Sequence, residues 1–215
     1  MATAPTRVTS VQTVYNTTTS PKTTPTFDVQ AGDLIVIYGY TPIYETTLNT
    51  PTWTGTGSVT LRQSVFVSGY ANLYCWTIDV TSTATGRTIS ATSGGTTLIW
   101  GMSATIWRNH GGVGASANAN TTGAPSLSLT CTANSAVQVA VDDWNGVNGS
   151  SRTWRTVNGS AMSENMYTYV TDAGSGYYTI YEGYTTDVGS AGSKTLGLTA
   201  PTGQQYSIIG IEILG

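Results

Sequence analysis

Apolar and polar positions alternate with period two, or run unbroken, in short stretches separated by clusters of Gly, Asn, Ser and Pro. This is the signature of strands joined by turns. Residues 33–40, DLIVIYGY, are nearly all apolar and predict a central strand covered on both faces. In SVTLRQSVFV, residues 58–67, the alternation puts Val59, Leu61, Val65 and Val67 on one face, with Thr60, Arg62 and Ser64 on the other. YANLYCWTIDV (70–80) follows after Ser68-Gly69, so these two stretches predict a hairpin.

Further strands are expected at 7–15, 87–92, 97–107, 125–131 and 136–143, and around 165–170, 177–184, 194–199 and 206–214. Leu127, Leu129 and Cys131 share one face of their strand, and Val137, Val139 and Val141 share one face of theirs. Ile209, Ile211 and Ile213 form a third such trio, and the two β-branched trios are expected in the core. Residues 109–124, NHGGVGASANANTTGA, carry the weakest strand signal and predict a crossing or an exposed loop. No helical period and no repeat of fixed length is present. About a dozen strands exceed what one open sheet holds, so they predict two packed sheets. The expected fold is all-β, an antiparallel two-sheet β-sandwich. Residues 30–215 form one domain, and the Thr/Pro-rich stretch 1–29 is an extended N-terminal arm laid on a neighbour.

Composition strengthens the strand reading. Threonine is about a fifth of the 215 residues, while there are four Glu, two Lys and ten Leu, so most strong helix formers are scarce. The net charge of −3 comes from only 8 basic and 11 acidic residues, and no basic stripe exists for phosphate neutralisation. Nucleic acid is therefore excluded as an expected partner. The N-terminus has no apolar signal-peptide core, and no apolar run approaches the roughly 18 residues of a membrane helix. Cys75 and Cys131 lie in apolar strand stretches without metal spacing; they are expected as buried free thiols, with a disulfide between them the alternative, which would favour a secreted protein.

Candidate chemistry is sparse. His110 is the one histidine and sits in Asn109-His110-Gly111-Gly112, a loop-like context with no nucleophile elbow elsewhere in the chain. Asp142 and Asp143 are adjacent at a strand end and point to opposite faces if the strand continues. Asp143-Trp144-Asn145-Gly146 reads as a turn. No metal or cofactor is expected, and the chain is read as not an enzyme.

Aromatics carry more information. Thirteen Tyr and six Trp stand against two Phe, a bias towards rings with a polar tip that suit interfaces. Tyr167, Tyr169, Tyr177, Tyr178, Tyr181 and Tyr184 flank a TDAGSG turn, which predicts a hairpin. Period two groups Tyr167 with Tyr169, and Tyr177 with Tyr181, and sets Tyr178 and Tyr184 on the opposite face, so one aromatic row faces solvent or a partner. Tyr38, Tyr40, Tyr44 and Trp53 flank GYTPIYETTLNTPTW and suggest a second, rim pocket.

The order of features also resembles a known family. Ala31-Gly32-Asp33 opens the apolar strand, and Pro51-Thr52-Trp53 comes after it. Thr85-Gly86-Arg87-Thr88-Ile89 precedes ATIWRNHGGV, then PSLSLTCTANSAVQVAV and the closing YSIIGIEILG. Across residues 30–214 this resembles the jelly-roll modules of minor tail and other virion proteins of phages, especially those of actinobacteria, and of uncharacterised bacterial surface proteins.

The resemblance implies a jelly-roll-like sandwich serving as a non-enzymatic structural component of a bacteriophage virion, a minor tail protein or a capsid decoration protein. Such a protein is made in the host cytoplasm, sits at the virion surface among other virion proteins, and forms a homo-oligomer, by analogy a trimer. A cell-surface glycan is a further partner that this reading admits. The alternatives are a bacterial surface carbohydrate-binding module or adhesin, and, third, a glycoside hydrolase using two of the carboxylates.

Overall fold

The structure is a computed structural model that describes residues 4–13, 15, 17–41, 47–68, 70–94, 99–172 and 176–215. The described residues form strands and turns only, without a helix. Ten long strands carry the architecture. In the first half they are β1 (Thr6–Gln12), β2 (Leu34–Thr41), β3 (Val59–Val67), β4 (Ala71–Asp79) and β5 (Gly101–Arg108). In the second half they are β6 (Gly112–Gly123), β7 (Ala136–Asp143), β8 (Ser163–Asp172), β9 (Gly176–Thr185) and β10 (Gln204–Leu214). The all-β antiparallel sandwich read from the sequence is what forms.

The two halves have the same topology. The first sheet runs β1-β5-β2-β4-β3 and the second β6-β10-β7-β9-β8, the same order counted within each half. A three-stranded sheet in each half repeats it too. Lys22–Thr23, Ile89–Ala91 and Thr52–Trp53 make a three-stranded sheet in the first half, as Ser126–Cys131, Gly192–Ala200 and Thr153–Trp154 do in the second.

Details coincide as well. Gly32, at φ 85°, and Asn134, at φ 60°, make the same left-handed turn before β2 and β7. In each case the next residue's carbonyl, Asp33 or Ser135, accepts from the amide of Val80 or Val188. A β-bulge interrupts β3 between Leu61 and Gln63, and another interrupts β8 between Glu164 and Met166. The chain is a structural duplication that no fixed sequence period announces.

The five-stranded sheets pack face to face. Leu34, Val36, Leu73 and Cys75 of the first sheet share one core with Met166, Ile180, Ile209, Ile211 and Ile213 of the second. The short strands cover both outer faces: Phe27 and Ile89 pack on Ile35 and Trp76, and Leu129 and Leu196 pack on Val137 and Val139. Central strands are thus buried on both sides, and all eight residues of β2 and of β7 are inaccessible. Both expected core trios are buried, on opposite faces of the second sheet.

Three expectations change. Residues 6–12 are not a free arm: β1 pairs with β5 from Thr6↔Arg108 to Gln12↔Ser103, and Tyr15 is buried in the shared core. Phe27–Val29 pairs with Ala84–Arg87. Residues 112–123 are not a loop but edge strand β6, paired along β10. Their small side chains fit there, because a Cβ at Gly114 would collide with the Glu212 carboxylate. Finally, the bulge in β3 shifts the alternation. Leu61 stands opposite Trp76 and is exposed, Val59 packs on the outer core, and Val65 and Val67 turn into the core between the sheets.

Each half places its first long strand along the third long strand of the other. At one seam Arg7 Nε donates to Asn165 Oδ1 at 2.8 Å. At the other, Gln63 Nε2 donates to Ser116 Oγ at 3.0 Å and Asn118 Nδ2 to Gln63 Oε1 at 2.7 Å. Both seams leave grooves open to solvent, and these bound the candidate sites.

Candidate functional site

The β8–β9 hairpin forms with Tyr167 opposite Tyr181 and Thr171 opposite Tyr177. Tyr167, Tyr169, Tyr177 and Tyr181 therefore share the outer face, and Tyr178 and Tyr184 point inward, as the period implies. The outer rings pair: Tyr169 and Tyr177 stack at 6.2 Å and 13°, and Tyr167 and Tyr181 lie at 5.6 Å and 37°. Tyr177 is 58% exposed, the most open large apolar side chain among the described residues.

Tyr167 is fixed on three sides. Its hydroxyl donates to Asn148 Oδ1 at 3.0 Å, and the Arg152 guanidinium lies 3.8 Å from its ring centroid. Arg152 is held in turn by a two-point ion pair with Glu164, which also accepts from Trp154 Nε1 at 3.1 Å. That guanidinium holds the Glu164 carboxyl below the usual carboxylate range, partly opposed by burial. Tyr181 is buried below the loop 144–152 and accepts from Gln204 Nε2 at 2.7 Å.

The inward tyrosines are structural. Tyr178 is fully buried and donates to the Tyr15 carbonyl. Tyr184 meets Trp107 edge-on at 5.8 Å, with Arg7 5.0 Å from its ring centroid. The rim pocket expected from Tyr38, Tyr40, Tyr44 and Trp53 does not form. Tyr38 and Tyr40 are buried between the sheets, whereas Trp53 packs on the outer core and donates to the Gly57 carbonyl at 2.9 Å. Tyr44 lies outside the described residues.

Between the sheets runs a polar network. Tyr40 donates to Glu182 Oε1 at 2.6 Å, Ser103 Oγ donates to the same oxygen, and Asn165 Nδ2 donates to Oε2 at 2.8 Å. Gln138 accepts from Trp107 Nε1 at 2.8 Å and donates to Thr105 at 2.9 Å. Burial raises the Glu182 carboxyl above its usual range, and its three donors offset part of that rise. The network is closed and fully packed, which suits register between sheets rather than reaction.

Asp142 and Asp143 do point to opposite faces. Asp143 accepts from the amides of Asn145, Val147 and Gln205 at 3.0, 2.9 and 3.1 Å, tying the turn after β7 to the start of β10. Burial raises its carboxyl to about 6, and the three amides pull the other way. Asp142 is fully buried with neither oxygen hydrogen-bonded, and burial, then the neighbouring Asp143, raises it well above the carboxylate range. Among the described residues no cation faces it.

Asp33 is a lock, not an acid. Its carboxylate accepts from Arg108 Nε and Nη2 at 2.7 and 2.9 Å and from the Gln30 amide at 2.7 Å. It thereby joins the Gly32 turn to the end of β5. His110 Nδ1 accepts from the Gly112 amide at 3.0 Å in the turn between the halves. His110→Ala should therefore leave ligand attachment unchanged and shift stability by no more than about 1 kcal/mol in denaturant titration. Cys75 and Cys131 are free and buried, and burial raises the Cys131 thiol to about 11.

Two grooves remain. One, of about 490 Å³, lies at the β1–β8 seam between Gln12, Thr13 and Tyr15 and residues Thr168 to Thr171. The other, of about 250 Å³, lies at the β3–β6 seam and holds Tyr70 and Trp144, whose ring centroids are 6.1 Å apart at 35°. With this geometry in hand, the chain was compared with protein-family models, curated proteins and solved structures. None of them matches. The Tyr70–Trp144 pair escaped sequence reasoning because its members lie on different halves, and no local spacing links them. The hairpin tyrosines were legible because one turn joins both strands.

Proposed function

We propose that the chain is a non-enzymatic structural component of a bacteriophage particle, a minor tail or capsid decoration protein that presents a β-sandwich surface outward. The jelly-roll-like reading, made of residues 30–214 as one module, is supported by the layering of sheets. The five-stranded sheet and the three-stranded sheet of each half supply the two layers that such a module needs. The sparse charge supports packing among other virion proteins, since few ions must be desolvated in a homo-oligomer or a mixed assembly.

One observation carries the reading. Tyr169 and Tyr177 stack in the open on a hairpin whose reverse face is anchored in the core by Tyr178 and Ile180. Rings fixed this way lose little freedom when they meet a partner. Particles purified from a lysate are expected to carry the chain where antibody reaches it. Finding it only free, or only in a cell envelope fraction, would overturn the virion assignment.

The same stacked pair favours a second reading, a carbohydrate-binding module or adhesin, because flat aromatic surfaces suit sugar rings. Tyr177→Ala separates stability from contact. It should leave the unfolding midpoint within about 0.5 kcal/mol of the parent, as for an exposed side chain, and weaken attachment to partner or glycan by about tenfold. Unchanged attachment would remove the hairpin from the contact surface.

A further inference from the structure

We propose a second site, separate from the tyrosines of the hairpin: the groove at the β3–β6 seam binds one residue of a neutral glycan against the rings of Tyr70 and Trp144. Both rings stand in a groove of about 250 Å³, smaller than pockets that engulf drug-sized ligands and matched to a single ring. Tyr70 is 54% exposed and Trp144 is half-buried, at 6.1 Å between centroids and tilted by 35°. At this distance the two rings touch, and together they form one tilted aromatic surface in the groove.

The rest of the lining is uncharged: Val67 at the end of β3 is apolar, Asn120, Thr121 and Thr122 from β6 and Gln205 from the start of β10 are polar, and no charged side chain lines the groove among the described residues. Amides and hydroxyls satisfy sugar hydroxyls in either sense, as donors or acceptors. The apolar C–H faces of a pyranose meet the electron-rich faces of the rings. A phosphate, sulfate or uronate would find no cation here, which sets the class as neutral.

The groove is also preorganised. The Trp144 amide donates to the Gln205 carbonyl at 3.0 Å, and the Asp143 carboxylate beside it grips two amides of the same turn and the amide of Gln205. The Tyr70 amide donates to the Val67 carbonyl at 2.9 Å. The groove at the opposite seam differs where it matters. It is lined by the half-exposed Tyr169 and by Tyr15, whose ring is sunk in the core, edge-on to Tyr40 at 5.8 Å.

The test is calorimetric titration of the full chain with neutral gluco-, manno- and galacto-oligosaccharides, beside uronate-containing and sulfated ones. Neutral probes are expected to bind. Tyr70→Ala and Trp144→Ala should each weaken binding by about tenfold, the loss of one aromatic contact, while Tyr70→Phe keeps it. His110→Ala, a change in the turn between the halves, should leave this affinity within about threefold. If Trp144→Ala does not fold, Tyr70→Ala carries the test, since that side chain lies on the surface. The proposal falls if no neutral probe binds, if charged probes bind better, or if binding survives the Tyr70 and Trp144 changes. Loss on Tyr177→Ala alone would also overturn it while leaving the outward role of the hairpin intact.

Discussion

Replacing Ile211 with Ala is expected to cost about 2–5 kcal/mol of stability, the range for a buried branched side chain whose cavity cannot collapse. Ile211 is fully buried between the two five-stranded sheets, on a strand paired on both sides to β6 and β7. Strands held on both edges cannot move to fill a void. Ile209 and Ile213 face the same core and should behave alike. Because that core belongs to both halves, the loss should appear as an earlier single transition in urea, with fluorescence and circular dichroism coinciding. A cost below about 0.5 kcal/mol at all three positions would mean that the inter-sheet core does not hold the fold.

Asp142→Asn is expected to stabilise the protein progressively as pH rises. The folded chain holds this carboxyl in a buried site without a hydrogen bond, so its folded pKa lies well above the unfolded value. A raised carboxyl favours folding fully only below the unfolded pKa of about 4, and that stability is lost as pH climbs towards the folded pKa. Over that window the wild-type chain loses about 1.4 kcal/mol per pH unit through this one group. The amide does not ionise, and its cost as a buried polar group is independent of pH. Urea titrations of parent and variant at pH 4 to 8 should therefore show a widening gap in favour of Asp142→Asn. A constant gap would show that Asp142 is not held protonated in the fold. Ser207, opposite Asp142 in β10, also lacks a partner for its hydroxyl and offers the new amide a neighbour.

The placement of Asp142 illustrates what local pattern conveys. Its strand, AVQVAVDD, reads as apolar on one face, with Gln138 and Asp142 on the other. Both faces are in fact buried, one by the short strands of its own half and one by the opposing sheet. Alternation states which side chains share a face, and it is silent on what covers each face. The same silence hid Glu182, whose donors Tyr40 and Ser103 belong to the other half of the chain.

The sequence by itself determined that this is a strand protein, because helix formers are scarce and β-branched and aromatic residues recur with period two. It determined the β8–β9 hairpin and the division of its tyrosines between two faces, since one short turn sets that register. It determined the two buried trios and the burial of the cysteines, and the structure decided that these stay unpaired. Tertiary structure alone decided that residues 112–123 pair as an edge strand, because their Gly, Ala and Asn have little strand preference until β10 supplies a ladder. It decided that residues 6–12 complete a sheet, that bulges in β3 and β8 reverse the facing of the residues beyond them, and that two equivalent halves close on one core. Those outcomes depend on contacts between segments far apart in the chain, where spacing along the sequence carries no information. The meeting of Tyr70 with Trp144 is of the same kind, made by the packing of one half on the other.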